Sequence, residues 1–72
     1  MEQKAIHRDA EIMGGIPVFV GTRVPLSFMF DYLKAGESLE TFLEHYPSVP
    51  KDIAITALRL AEQLAIEDAH FA

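Results

Sequence analysis

The pattern of hydrophobic and polar positions divides the chain into an irregular N-terminal third and three stretches with helical spacing. From Pro25 to Ala35 the apolar residues fall at i, i+3, i+4 and i+7, and Gly36 follows as a terminator. The next stretch repeats this spacing between Ser38, a natural N-cap, and Pro47, which stops it. Two amphipathic helices are therefore predicted, with apolar faces formed by Leu26, Met29, Phe30 and Leu33 and by Leu39, Phe42, Leu43 and Tyr46.

The third helical stretch is the longest, and Pro50 begins it with Asp52 in the first turn. At about 100° per residue its apolar residues share one broad arc, and polar residues occupy the opposite face. Ile55 and Ile66 interrupt that polar face, and we interpret them as contact residues. The arc that we predict to be buried consists of Ile53, Ala54, Ala57, Leu58, Leu60, Ala61, Leu64 and Ala65.

The N-terminal third is predicted to form an extended arm followed by a β-hairpin. Val18-Phe19-Val20 is too short for a helix and rich in β-branched residues, so it is predicted to be a strand. Gly21-Thr22 suits a two-residue turn with glycine in the first central position, with Arg23-Val24 returning antiparallel and Pro25 starting the helix. The structural turn residues predicted here are Gly14, Gly15, Gly21 and Thr22. Residues 4–12 are predicted to be extended.

The size of the chain predicts self-association. A chain of 72 residues is predicted to form a single domain over 1–72. Residues 1–25 are predicted to be the arm and hairpin, and residues 26–72 the three-helix bundle. A core of this size usually supplies only roughly 3–5 kcal/mol. Half of the residues are apolar, which is more than so small a monomer easily buries, so a homodimer or higher oligomer is expected. The candidate partner or dimer contacts are Val18, Val20, Phe28, Tyr32, Ile55 and Ile66.

Charge and composition limit the classes of function that the chain can have. The net charge is −5 and the second half of the chain carries all of it, which disfavours tight general binding to nucleic acid unless the few cations are clustered. The chain has no cysteine, as suits a reducing compartment, and no apolar run near the ~18 residues of a membrane span. We therefore expect a cytoplasmic protein.

The second and third predicted helices, joined by a short turn, have the order of a helix-turn-helix motif. In that arrangement the helix after Pro50 would read DNA with Lys51, Thr56 and Arg59, while Arg23 would reach flanking phosphates. A plain three-helix bundle has the same pattern, and the pattern alone favours it. The few cations argue for weak or dimer-dependent DNA binding.

Catalytic and cofactor sites have no support in the sequence. The three histidines lack ligand spacing, no serine-histidine-acid motif is recognisable, and the glycines do not form a phosphate loop. We expect a non-enzymatic protein without metal or cofactor.

Four short motifs resemble one bacterial family. They are Gly14-Gly15-Ile16-Pro17-Val18, Gly21-Thr22-Arg23-Val24-Pro25, Ala35-Gly36-Glu37-Ser38 and Tyr46-Pro47. Together they resemble the family catalogued as domain of unknown function 433, over about residues 6–64. The resemblance implies a homeodomain-like helix-turn-helix fold after a short hairpin arm. It also implies a VapB-type antitoxin encoded beside a PIN-like ribonuclease.

The chain departs from that family where Val49 replaces the usual capping residue before the last helix. A missing cap costs ~1 kcal/mol and leaves the first turn less prepared for phosphate. We expect an antitoxin-like subunit that binds a PIN-like ribonuclease toxin, with operator DNA as a second partner. The alternatives are a stand-alone DNA-binding regulator and a structural dimerisation domain.

Overall fold

The computed structural model describes residues 5–11 and 13–70, and within them the chain is mainly helical. Helix α1 spans Leu26–Lys34, α2 spans Leu39–His45 and α3 spans Lys51–His70. Strands β1, Ile6–His7, and β2, Val18–Phe19, form a two-stranded antiparallel sheet at the N-terminal end. The predicted fold class, three helices after a short β-hairpin, is confirmed. Residues 1–4 of the predicted arm, and Ile12 within it, lie outside the described residues.

Strand β2 pairs with the N-terminal arm on one side and, more briefly, with the predicted return segment on the other. Ile6 pairs with Phe19 and His7 with Val18. The predicted return is confirmed in direction but not in extent: Arg23-Val24 forms no strand, and the chain returns through one antiparallel bridge between Val18 and Pro25. The Phe19 N–H donates to the Val24 carbonyl and the Leu26 N–H to the Pro17 carbonyl, each over 3.0 Å. Pro25 has no N–H to donate and α1 begins at Leu26, so the pairing ends there.

The turn after β2 has a left-handed glycine, but in a different place from the one predicted. The Thr22 N–H donates to the Phe19 carbonyl over 3.0 Å, which makes Gly21, at φ 76°, the second central residue of the turn. The glycine-first turn is therefore wrong. The Thr22 hydroxyl donates to the Phe19 carbonyl and accepts from the Val24 N–H, so one side chain closes the loop on both sides.

Local signals set the boundary between α1 and α2 as predicted. Gly36 has φ 88°, its N–H donates to the Leu33 carbonyl, and the Glu37 N–H donates to the Tyr32 carbonyl over 2.9 Å. This bond pair is a Schellman ending, which needs a left-handed residue after the helix. The Ser38 hydroxyl accepts from the Thr41 N–H over 3.1 Å and caps α2.

One apolar core joins the hairpin to all three helices. Its centre is Phe19, Met29 and Phe42, and the Phe19 and Phe42 rings lie 5.9 Å apart. The hairpin therefore rests on the helices that a two-stranded sheet needs for stability. The buried residues of this cluster are Ala5, Phe19, Met29, Phe42, Val49, Ile53, Ala54 and Ala57.

The core covers only the first part of α3. Ile53 and Ala57 are buried, whereas Leu60 is 42% exposed and Leu64 is 67% exposed. The prediction that the apolar arc continues into the core beyond Ala57 is therefore wrong for Leu60, Leu64 and Ala65. The reason is length: α3 has 20 residues, or about 30 Å at the usual helical rise, while α1 has nine and α2 seven.

Candidate partner-binding and nucleic-acid surfaces

Helices α2 and α3, with the connection at residues 46–50, make the helix-turn-helix unit. Val49, in the place of the usual cap, is buried in the core together with Ala54. An apolar residue two positions before a helix that packs near the fourth helical residue is the arrangement of a hydrophobic staple. At Val49 the chain therefore has a buried apolar side chain where a polar capping residue was expected.

The four candidate DNA-binding residues differ in their freedom to contact phosphate. The Lys51 ammonium lies 3.2 Å from a Glu40 carboxylate oxygen, so its charge is partly neutralised within the chain. The Thr56 hydroxyl donates to the Asp52 carbonyl over 2.9 Å, an internal bond of α3. Arg59 is exposed and has no ion pair among the described residues. Of the three candidates on α3, Arg59 is the one best placed to meet an anion.

Arg23 lies next to the helix-turn-helix connection. It lines a shallow groove of about 490 Å³ together with His7, Thr22 and Ser48, and Ser48 belongs to the α2–α3 connection. Arg23 is exposed and, like Arg8, has no ion pair within the part of the chain that the structure describes. The fold thus brings a hairpin cation beside the start of α3, although 28 residues separate Arg23 from Lys51 in the sequence.

The candidate contact residues of the hairpin and α1 are covered to different degrees. Val18 is completely buried in the chain, so its side chain is not on the surface, and Val20 is half-buried. Phe28 is 38% exposed and its ring lies 5.7 Å from that of Tyr46. Tyr32 packs edge-on against Phe42, with ring centroids 5.4 Å apart. The side of α1 that carries Phe28 and Tyr32 therefore packs against α2 and its C-cap Tyr46.

Tyr32 also makes a short side-chain hydrogen bond to α2. Its hydroxyl lies 2.6 Å from the Nδ1 of His45 on α2. Partial burial, then the neighbouring Tyr46 and Glu37, raise the pKa of Tyr32 above its usual value of 10.0. This bond ties α1 to the end of α2 at the base of the helix-turn-helix unit.

Helix α3 presents apolar residues on two opposite sides. The outer face, defined here as Ile55, Arg59, Glu62 and Ile66, is turned about 180° from the core-facing side at 100° per residue. Ile66 is 62% exposed and Ile55 half-buried. The second side is the leucine stripe, Leu60 and Leu64, which continues the buried stripe. Sequence reasoning missed the leucine stripe as a surface, because periodicity marks an apolar face without marking how far neighbours extend.

The described residues define a small helix-turn-helix domain with an N-terminal hairpin, which has basic residues beside its connection and apolar residues on the end of α3. Residues 6–61 match the model of the family described as protein of unknown function DUF433, and the chain belongs to that family. No curated protein and no solved structure matches the chain. Among the described residues no helix is long and apolar enough to cross a membrane, and no three acidic or histidine side chains are placed to hold a metal ion.

Proposed function

We propose that this protein is a non-enzymatic, cytoplasmic antitoxin-like subunit of a type II toxin–antitoxin pair, which binds and blocks a PIN-like ribonuclease. The four motifs that resemble the DUF433 family imply a VapB-type antitoxin, and this implication supports the role. Membership of the DUF433 family agrees with that resemblance.

The observation that carries the proposal is the outer face of α3. Ile66 is a large apolar residue that is 62% exposed, and Arg59 and Glu62 on the same face are also exposed. Along this face Arg59 and Glu62 lie between the two isoleucines, and a mixture of apolar and charged side chains, arginine among them, is common in protein–protein contacts. The exposed Ile66 side chain makes no favourable contact with a phosphate backbone, so the Ile66 end of this face suits a protein partner.

The test is direct binding to the product of the neighbouring reading frame. Calorimetry on the two purified proteins should give a complex with wild type and a weaker one with Ile66→Asp, because the substitution places an unpaired carboxylate in the apolar contact. Ile16→Asp is the matched control, since Ile16 is also exposed but lies before β2, on a different element. Circular dichroism confirms that each variant is folded.

Three outcomes decide the proposal. Weaker binding by Ile66→Asp alone supports it. Equal binding by wild type and both variants removes the outer face from the contact. No binding between wild type and the neighbouring product contradicts the toxin-blocking role and leaves a DNA-binding regulator as the function.

Repression of its own operon is the second role that we propose. Arg23 beside the α2–α3 connection and Arg59 on α3 are exposed cations without ion pairs among the described residues. They support contacts to DNA phosphates on either side of the helix that enters the groove.

A further inference from the structure

The groove beside Arg23 lies between the hairpin and the connection that precedes α3, and we call it the turn groove. It holds about 490 Å³ and draws its lining from three separate segments, namely β1, the turn after β2 and the α2–α3 connection. Four of its six lining residues have polar side chains. The lining residues are His7, Val20, Gly21, Thr22, Arg23 and Ser48.

Three hydrogen-bond donors of the turn groove have no acceptor among the described residues. The exposed Arg23 guanidinium has no ion pair there. Neither the hydroxyl of the exposed Ser48 nor the Gly21 N–H is hydrogen-bonded within the part of the chain that the structure describes. An added Cβ on Gly21 would meet nothing within 4 Å, so a ligand can approach the backbone closely at this point.

The other two polar side chains of the groove are already engaged. The Thr22 hydroxyl makes the two hydrogen bonds that close its own turn. The His7 Nε2 lies 3.9 Å from an Asp9 carboxylate oxygen, so a positive charge on this ring is met by that acid. Arg23 is therefore the residue that gives the turn groove its positive charge.

We propose that the turn groove binds one phosphate group and that the source of this phosphate is the backbone of duplex DNA. The planar Arg23 guanidinium can donate two parallel hydrogen bonds to phosphate oxygens. Gly21 and Ser48 lie on two different loops. The oxygens of a phosphate do not share one plane, so donors from both loops can reach it together, whereas the two oxygens of a carboxylate lie in one plane.

The place of the groove in the fold favours DNA as the source. Ser48 comes three residues before Lys51, where α3 begins. In helix-turn-helix proteins the second helix of the motif enters the major groove, and neighbouring segments contact the DNA backbone. The volume of the groove also exceeds that of a phosphate ion, which leaves room for the adjoining sugars. This choice of source rests on the second role proposed above, the contact with operator DNA.

The first experiment uses inorganic phosphate and the full chain. Phosphate replaces chloride at constant ionic strength, and nuclear magnetic resonance follows the backbone amides. The amides of Gly21, Arg23 and Ser48 should shift and saturate in wild type, and Arg23→Gln should lose these shifts. Arg8→Gln is the matched control, because Arg8 is also exposed without an ion pair among the described residues but does not line the groove. It should bind phosphate like wild type.

The second experiment uses duplex DNA from the upstream region in anisotropy titrations. Ser48→Ala keeps the net charge and removes one hydrogen bond to a charged group, so the dissociation constant should rise by about 10-fold. Ser27→Ala is the matched control, since Ser27 is an exposed serine on α1 that does not line the groove. Arg23→Lys should recover only part of the affinity that Arg23→Gln loses, because an ammonium keeps the charge without the planar pair of donors. Circular dichroism confirms that each variant is folded.

The proposed site is supported if Arg23→Gln loses the phosphate shifts, Arg8→Gln keeps them, and Ser48→Ala weakens DNA binding while Ser27→Ala does not. It is overturned if phosphate shifts no amide of the groove, or if Arg8→Gln loses the shifts as Arg23→Gln does.

Two further outcomes separate the site from the role in repression. Phosphate binding in the groove without DNA binding by wild type contradicts DNA as the source, and with it the repressor role, and leaves a site for free phosphate. DNA binding that neither Arg23→Gln nor Ser48→Ala weakens overturns the groove as the phosphate contact and leaves the repressor role to α3.

Discussion

At the scale of single residues, the turn after β2 depends on Gly21 and Thr22 together. Gly21 has φ 76°, and an added Cβ would meet nothing within 4 Å, so a substitution there is opposed by backbone strain and not by a clash. Thr22 holds the same turn through its two hydroxyl bonds. The glycine and the threonine were predictable from turn chemistry. The position of glycine within the turn was not, because it depends on where the returning segment bonds to β2: the Phe19 N–H donates to the Val24 carbonyl, which leaves a loop of four residues.

Replacing Gly21 by valine should destabilise the fold. A β-branched residue in the left-handed region costs about 1–2 kcal/mol. At this chain length each kcal/mol lowers the melting midpoint by roughly 4–8 °C. Gly21→Asn is the matched control and should lose less, because asparagine tolerates positive φ. Equal midpoints for Gly21→Val and wild type would contradict the turn geometry.

The raised pKa of Tyr32 predicts that the free energy of unfolding decreases at alkaline pH. Its pKa is raised in the folded chain, first by partial burial, so the folded state holds the phenol proton more tightly than the unfolded state. The stabilising contribution is therefore complete below pH 10 and is lost as the pH rises through the higher folded pKa. Denaturant unfolding between pH 8 and 11 should show a steeper decline for wild type than for Tyr32→Phe. Parallel declines would mean that another group causes it.

At the scale of elements, apolar periodicity located the three helices but not what covers them. On α1, the sequence marks Phe28 and Tyr32 as candidate partner contacts, whereas in the fold Tyr46 lies against Phe28 and Phe42 against Tyr32. On α3, the pattern treated Leu60 and Leu64 like Ile53. Neighbouring helices that are too short leave them exposed, and helix length in one element is not encoded in the periodicity of another.

The start of α3 gives a prediction with two opposing effects. Val49→Ser would place a hydroxyl just before Pro50, and a polar cap at a helix start is worth about 1 kcal/mol. It would also remove two methyl groups from a side chain that is 3% exposed, at about 0.5–1.5 kcal/mol for each buried methyl. Net destabilisation is expected in denaturant titrations. A more stable variant would show that capping outweighs burial at this position.

At the scale of the whole molecule, a net charge of −5 limits what the exposed cations can do with DNA. Arg8, Arg23 and Arg59 are exposed and have no ion pair among the described residues, while Lys51 is paired with Glu40. A dimer doubles the number of phosphate contacts and fixes two half-sites. The number of basic residues could be read from the sequence. The pairing of Lys51 with Glu40 could not, since the two residues lie on different helices.

Binding to the upstream DNA should accordingly require the dimer and fall steeply with salt. With about six phosphate contacts per dimer, the logarithm of the binding constant should change by about −5 per logarithm of salt concentration. Arg59→Ala should weaken binding strongly in an anisotropy titration. Lys34→Ala is the control, because Lys34 lies at the end of α1 and pairs with Asp31. Equal affinities of Arg59→Ala and wild type would remove α3 from the DNA contact.

The most direct test of the proposed role is a titration of ribonuclease activity. The product of the neighbouring reading frame is assayed on RNA while this protein is added from zero to a several-fold excess. Wild type should abolish cleavage with an end point near one chain per nuclease, and Ile66→Asp should require a clear excess. Undiminished cleavage at saturating wild-type protein would contradict the antitoxin-like function.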